Sequence, residues 1–221
     1  DKYEHLPLNR RVEAFKQGFK TTAADDLSKI LFLEATSSEH WLQRRTNYTT
    51  SLVMTSIVGY IIGLGDRHTN NIMMNEKTAK LVHIDFGDCF EVAINRSYRP
   101  EKVPFRLTRI FVRALEVSRI EGTFRCSCEN LMKLLRRNSD QISGLLNVFL
   151  YDPLLQWIIA NEGQGMKSAS AVLDRIDDKL NGRDFDDGKV LSVEDQIDRL
   201  INEATNNENL ASMFYGWGPW W

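Results

Sequence analysis

The stretch from Gly59 to Gly87 reads GYIIGLGDRHTNNIMMNEKTAKLVHIDFG and holds the polar residues that matter most in this chain. An Asp-Arg-His triplet begins at Asp66, in a turn bordered by glycines. Asn71 follows five residues later, and Asp85 of a DFG triplet lies fourteen residues beyond Asn71. An aspartate in such a loop is most often a turn former, so each residue alone says little. The three residues together, in this order, are far more specific.

Their chemistry matches phosphoryl transfer from ATP. That reaction needs a carboxylate beside the attacking hydroxyl and oxygen ligands that hold Mg²⁺ on the phosphates. Mg²⁺ takes oxygen donors and rarely more than one or two carboxylates. Asp66, Asn71 and Asp85 supply this set, and they keep the order and approximate spacing of a protein-kinase catalytic loop followed by DFG.

The rest of the chain predicts a mainly α fold with one small β-hairpin. Two helices are expected within residues 1–40, the second opened by a capping box at Thr22 and Asp25. A long helix from Trp41 to about Ile62 leads into the loop. Short strands at Ile72–Met74 and Lys80–Ile84 would then set Asn71 at the start of one strand and Asp85 at the end of the other. Later helices are predicted at Phe105–Val117, Arg125–Arg137, Asp140–Leu150, Pro153–Ala160 and Ala169–Leu180.

The bulk composition is that of an ordinary globular chain. It has 221 residues, 43% hydrophobic and 26% charged, with a net charge of −2, which gives no argument for nucleic acid. We expect no membrane-spanning segment and no signal peptide, and therefore a cytoplasmic protein. The three cysteines are an odd number without zinc spacing, which favours reduced thiols. The chain starts at Asp1 rather than methionine, so we expect a segment of a longer protein.

The carboxyl-terminal stretch combines a helix start with an aromatic tail. Ser192 and Asp195 form a capping box before an amphipathic helix. The chain then ends FYGWGPWW. An exposed apolar tail of this kind is a liability, so it either packs into the protein or meets a membrane interface, where Trp and Tyr are favoured.

Four stretches carry a family resemblance: GLGDRHTNN, LVHIDFGDCFE, PEKVPFRLTR at 100–109 and YDPLLQW at 151–157. They resemble the phosphatidylinositol-3-kinase-related protein kinases and, within them, the TOR (target of rapamycin) kinases. The resemblance covers essentially the whole chain. The last thirty or so residues are similar to the FATC segment that closes those kinases. The family usually has Pro-Ser after the catalytic histidine, where this chain has Thr69-Asn70.

The resemblance implies a serine/threonine protein kinase that uses ATP with Mg²⁺ or Mn²⁺ in growth and nutrient signalling. It implies that Asp66 is the catalytic base or the residue that orients the substrate hydroxyl, and that His68 contacts the transferring phosphoryl group or orients the nucleophile. Asn71 and Asp85 would hold the metal. Met73 and Ile84 would form the floor under the adenine.

The resemblance also implies a domain organisation for the carboxyl-terminal lobe of a phosphatidylinositol 3-/4-kinase-type fold. Residues 1–40 would be a helical insertion that seats a WD-repeat propeller subunit. Residues 41–160 would be the kinase lobe, with a catalytic loop at 63–71 and an activation loop at 85–105. Residues 161–190 would be a linker and helix, and 191–221 the FATC segment. The resemblance further implies protein substrates and scaffold subunits as partners. Residues 214–221 would make peripheral contact with endomembranes if the tail is not packed.

Three functions stay open on the residues alone. The first is the protein kinase. Because no glycine-rich phosphate loop and no VAIK-like strand occur before Asp66, we expect the chain to supply half of the active site and to be inactive without an amino-terminal lobe. A lipid kinase would share the GDRH and DFG signatures, but the region between Asp85 and Phe105 lacks the clustered basic residues that suit an anionic headgroup. The third alternative is a non-catalytic interaction module.

Overall fold

A computed structural model describes residues 3, 5–97, 99–150, 169–185 and 189–220 of the chain. The predicted helix at Pro153–Ala160 and the predicted link at 161–168 lie outside these residues. The fold is mainly helical with one two-stranded antiparallel hairpin, as predicted. Its elements are α1 (Leu8–Thr21), α2 (Asp26–Leu33), α3 (Ser38–Ile61), β1 (Ile72–Met74), β2 (Leu81–His83), α4 (Arg109–Ala114), α5 (Arg125–Arg137), α6 (Ser139–Leu150), α7 (Ala169–Leu180), α8 (Val193–Thr205) and α9 (Asn207–Ser212).

One predicted cap is present and another is not. Ser192 caps α8, and its hydroxyl accepts a hydrogen bond from the Asp195 backbone N–H, as predicted. The capping box at Thr22 and Asp25 is wrong. Thr22 is the extended residue that ends α1, and its hydroxyl donates to the Gly18 carbonyl at 3.0 Å. Asp25 is the residue before α2, but its side chain makes no capping bond.

The helix predicted from Phe105 to Val117 is shorter than expected. It begins only at Arg109 and ends at Ala114, because the preceding segment has another role. Residues 103–107 form an irregular strap in which every side chain except that of Pro104 is buried, including Phe105 and Leu107. Tertiary burial of this strap overrides a local helical pattern.

Helix α3 organises the lobe around the hairpin. Its Tyr48 is fully buried and donates its hydroxyl to the Phe111 carbonyl at 3.0 Å. Arg44, 2% exposed, donates to the Leu31 carbonyl at the end of α2 and, at 2.5 Å, to the Glu76 carbonyl in the hairpin turn. These bonds between non-neighbouring elements fix the direction in which α3 delivers the chain to residues 63–71.

Two hydrophobic cores hold the molecule together. The larger one joins α3, the hairpin and helices α4–α8. The smaller one joins α1, the strap and the aromatic tail, through Phe15, Val103, Leu210, Ala211, Met213 and Trp217. Of the two alternatives for the tail, the structure shows packing, and the tail packs against the predicted insertion. None of the helices in the described part of the chain is both long and apolar enough to cross a membrane.

Candidate active site

A glycine-dependent turn connects α3 to the catalytic-loop residues. Gly63 has φ +61, and a Cβ there would lie 2.5 Å from the Glu91 backbone nitrogen. The turn is tied to the segment after DFG by three backbone hydrogen bonds, from Phe90 N–H to Ile62, Glu91 N–H to Gly63 and Gly65 N–H to Asp88, at 2.8–2.9 Å. Only glycine accommodates this approach, so GLG joins the predicted catalytic loop to the start of the predicted activation loop.

Arg67 locks these two segments together. Its side chain is 3% exposed, and its guanidinium donates to the carbonyls of Gly65 at 2.7 Å, Ile84 at 2.8 Å and Asp85 at 2.5 Å. Desolvation lowers the Arg67 pKa, while Asp66, Glu101 and Asp85 counter this effect. One planar cation therefore fixes the backbone on both sides of the site.

Asp66 lies beside Asn71 and His68. The Asn71 Nδ2 donates to the Asp66 carbonyl at 3.0 Å and lies 3.4 Å from Asp66 Oδ2. His68 Nε2 is 3.7 Å from the same Oδ2. Because His68 Nδ1 accepts the Asn70 N–H at 3.2 Å, the neutral ring carries its proton on Nε2, facing Asp66. The loop can thus present a carboxylate and a donor side by side.

Asp85 reaches the same site from the hairpin. Its backbone has φ +59, as Asp66 has φ +56, a left-handed conformation that aspartate adopts more readily than most other non-glycine residues. The Ile84 N–H donates to the Asn71 carbonyl at 3.1 Å, which joins the two ends of the hairpin. The Asp85 Oδ1 accepts the Gly87 N–H at 3.2 Å.

Asp66 and Asp85 line one cleft of about 860 Å³. Its other walls come from the activation loop and, unexpectedly, from the tail: Gly87, Asp88, Val92, Asn95, Arg96, Ser97, Arg99, Glu101, Met213, Phe214 and Trp217. Arg96 is paired with Asp88 at 2.5 Å. The cleft is therefore acidic at its base, which suits a bound divalent cation.

Burial shifts the pKa of two acids around the cleft. The Glu101 Oε1 accepts the Asp66 N–H at 2.9 Å, and burial raises the pKa of Glu101 to about 7. Burial also raises the pKa of Asp88. On the hairpin, burial and, to a smaller extent, the charge of Arg67 lower the pKa of His83 to about 4. His83 is thus neutral at physiological pH, in keeping with a structural contact.

The oxygen donors of the site suit a hard divalent cation. We find no cluster of three or more His, Cys, Asp or Glu side chains that could hold a metal ion in the part of the chain that the structure describes. A hard cation on nucleotide phosphates does not need such a cage. Asn71 uses its Nδ2 on Asp66, which leaves its amide oxygen, with the Asp85 carboxylate, as the oxygen donors.

The predicted site residues separate into two groups. Asp66, His68, Asn71 and Asp85 are gathered at one end of the hairpin. Met73 and Ile84 lie on its exposed face, at 55% and 39% exposure. Sequence reasoning missed Arg67, Glu101 and Arg106. The available signals were an arginine within the catalytic motif GLGDRH and another between two apolar residues in PFRLTR.

Comparison with known proteins agrees with this architecture. Residues 1–159 match the family described as Phosphatidylinositol 3- and 4-kinase, and residues 190–221 match the FATC domain. The chain belongs to the phosphatidylinositol 3- and 4-kinase family and carries a FATC domain.

Its relatives point to the TOR branch. The chain is 40% identical to the Serine/threonine-protein kinase mTor of Drosophila melanogaster and 43% identical to the Serine/threonine-protein kinase TOR2 of Saccharomyces cerevisiae, over 99% of its own length. It spans only 11% and 10% of those relatives. A solved structure titled FAT and kinase domain of CtTel1 superposes with a TM-score of 0.86 at 30% identity, covering 99% of this chain and 15% of that one. The TOR resemblance drawn from the motifs is thereby confirmed.

Proposed function

We propose that the chain is the carboxyl-terminal lobe of a TOR-like serine/threonine protein kinase that transfers the ATP γ-phosphate to protein substrates in growth and nutrient signalling. The observation that carries this is the cleft that Asp66 and Asp85 both line, with Arg67 holding the carbonyls of Gly65 and Asp85. Phosphoryl transfer depends chiefly on positioning and electrostatics, and a rigid pair of carboxylates serves both.

Each residue has a separate role in this proposal. Asp66 accepts or orients the proton of the substrate hydroxyl, and the His68 Nε2–H donates to the transferring phosphoryl or orients the nucleophile. Asn71 and Asp85 hold the metal, which neutralises charge on the ATP phosphates when it is bound. In the longer kinase that includes the amino-terminal lobe, Asp85→Ala should then abolish Mg²⁺-ATP binding, whereas Asp66→Ala should spare binding and lower turnover. Equal loss of nucleotide affinity in both variants would contradict these roles.

We propose that catalysis requires an amino-terminal lobe over the hairpin. The outer face of the hairpin and the DFG phenylalanine expose apolar side chains: Met73 at 55%, Val82 at 49%, Ile84 at 39% and Phe86 at 55%. Met73 and Val82 face each other across the strands and, with Ile84, suit the floor beneath an adenine. Mg²⁺-dependent ATP binding should be measured by calorimetry on the 221-residue chain and on a longer protein in which a kinase amino-terminal lobe precedes it. Tight binding by the short chain alone would refute this requirement.

The charge of the cleft favours a protein substrate over a lipid substrate. Asp66, Asp85, Asp88 and Glu101 outnumber the cleft arginines, and one of these, Arg96, is already paired with Asp88. An anionic inositol headgroup needs unopposed positive charge. Transfer of ³²P from ATP to a serine/threonine peptide, compared with transfer to phosphoinositide vesicles, distinguishes the two. Lipid as the better acceptor would overturn the assignment, and transfer to neither would favour the non-catalytic interaction module.

We propose that the helical insertion, residues 1–40, seats a WD-repeat propeller subunit. Helix α2 leaves Ile30, Phe32 and Leu33 exposed at 45%, 62% and 75%, and the Phe32 ring lies 6.3 Å from the Trp41 ring of α3. Several large apolar side chains exposed on one short helix are typical of a protein-binding site. Leu33→Glu should abolish co-purification of that subunit. Val117→Glu, at an isolated and 98% exposed position, is the matched control. Equal binding by both variants would refute the site.

The tail offers less surface for a membrane than its composition suggests. Trp217 is 3% exposed, whereas Phe214 and Tyr215 are 45% and 57% exposed. We propose a cytoplasmic kinase bound to scaffold subunits, in which Tyr215 would make any peripheral contact with endomembranes. Flotation with liposomes should weaken in Tyr215→Ala. Unchanged flotation would exclude Tyr215 as the contact.

A further inference from the structure

Arg106, in the strap, connects the aromatic tail to the catalytic loop. It is 3% exposed. Its Nη1 donates to the Trp217 carbonyl at 2.6 Å, and its Nη2 donates to the Gly218 carbonyl at 2.7 Å. The guanidinium also lies over the Trp217 ring, 4.3 Å from the centroid. Arg106 therefore holds the turn at which the tail reverses, where Gly218 has φ +66.

The same guanidinium reaches the catalytic loop. Arg106 Nη1 donates to the Arg67 carbonyl at 3.3 Å, and the Arg67 side chain in turn holds the carbonyls of Ile84 and Asp85. The chain of contacts thus runs from the tail, through Arg106 and then Arg67, to the DFG segment. Burial lowers the pKa of Arg106 to about 10, so the side chain stays charged at neutral pH.

Arg109 provides a natural comparison. It lies three residues along the chain and also holds the tail, because its Nε donates to the Trp220 carbonyl at 3.1 Å. Its other recorded hydrogen bonds go to the Phe19 carbonyl and the Thr22 hydroxyl of the insertion. Arg109 thus joins the tail to the insertion, whereas Arg106 joins it to the catalytic loop.

We propose that Arg106 is a positioning residue for catalysis, which sets the catalytic loop and the DFG segment against the folded tail. This positioning role goes beyond anchoring the tail, a function that Arg106 shares with Arg109. It rests on the proposed phosphoryl transfer for its kinetic consequence, but its structural consequence is independent of activity. A lysine cannot replace Arg106, because a single ammonium lacks the planar fork that meets two adjacent carbonyls.

The test compares Arg106→Lys, Arg106→Gln, Arg109→Lys and Arg109→Gln in the full-length kinase. Hydrogen–deuterium exchange of residues 63–71 and 84–87 is measured first, and then kcat and the KM for ATP. We expect faster exchange in both segments in the Arg106 variants only. We also expect kcat to fall about 10- to 100-fold, the size of effect seen when catalytic groups move by about 1 Å, with little change in the KM for ATP.

Three results would overturn the proposal. The first is unchanged exchange and kcat in the Arg106 variants. The second is equal effects in the Arg106 and Arg109 variants, which would mean that tail anchoring alone matters. The third is loss of folding in both Arg106 variants while the Arg109 variants fold, which would make the role purely structural. Absence of activity in the unsubstituted kinase would refute the proposed function, and the exchange comparison would still decide the role of Arg106.

Discussion

Replacing Lys179 by methionine should be one of the most destabilising single changes on the helical side of the lobe. Lys179 is 3% exposed, and its Nζ lies 2.7 Å from Glu91 Oε1 in the activation loop and 2.9 Å from the Tyr60 carbonyl. Glu91 is also held by Arg175 at 3.0 Å. These partners outweigh the effect of burial, so the pKa of Glu91 is lowered and its carboxylate is charged at neutral pH.

The magnitude follows from what Lys179→Met leaves behind. Removing one partner of a buried ion pair costs about 3–5 kcal/mol, because the other charge stays buried. Arg175 still compensates Glu91, so we expect the lower end, about 3 kcal/mol. With a urea m-value of about 2–3 kcal/mol/M, the midpoint of unfolding should fall by about 1–1.5 M.

The assay is urea unfolding of the 221-residue chain, with Arg183→Met as the matched control. Arg183 follows the same helix and pairs with Asp177 and Asp178, but its side chain is 49% exposed. Exposed pairs contribute little, so its change should be close to the experimental error. In the double variant Lys179→Met/Glu91→Gln, part of the loss should return, because the buried carboxylate is gone. Equal midpoints for Lys179→Met and Arg183→Met would refute the reasoning.

Further predictions concern the acid beside Asp66 and the tail. The pKa of Glu101 is raised from 4.5 to about 7, so its contribution to stability is fully present below pH 4.5 and is lost as the pH rises through 7. The free energy of unfolding of Glu101→Gln, measured by urea unfolding, should therefore rise relative to that of the native chain as the pH increases from 5 to 8. Parallel plots of this free energy against pH for the two proteins would contradict the prediction. Trp217→Ala should cost about 3–5 kcal/mol, since the indole is 3% exposed in the smaller core. Tyr215→Ala, at 57% exposure, is its control, and similar thermal midpoints for the two variants would count against a packed tail.

Much of the fold was predictable because its signals are local. Helix α5 and strand β1 were predicted with their observed bounds, and α7 likewise, ending where Gly182 takes φ +71. The cap at Ser192 was predicted correctly because Ser192 and Asp195 lie within one turn of each other. The hairpin brought Asn71 and Asp85 to one end, as an antiparallel pair of this length requires. Within the proposed site, the residue types and their spacing selected Asp66, Asn71 and Asp85, and the family resemblance added His68.

The amino-acid sequence by itself determined the family, the helical class and the chemistry of the loop, because spacing along the chain encodes them. Tertiary structure alone decided which buried charges meet. Arg106 is 111 residues from Trp217, and Lys179 is 119 residues from Tyr60, so no local pattern reveals either contact. It also decided that Thr22 ends a helix rather than begins one, and that residues 103–107 form a strap. In each case, burial and hydrogen bonding to distant segments outweighed local preferences of about 1 kcal/mol per residue.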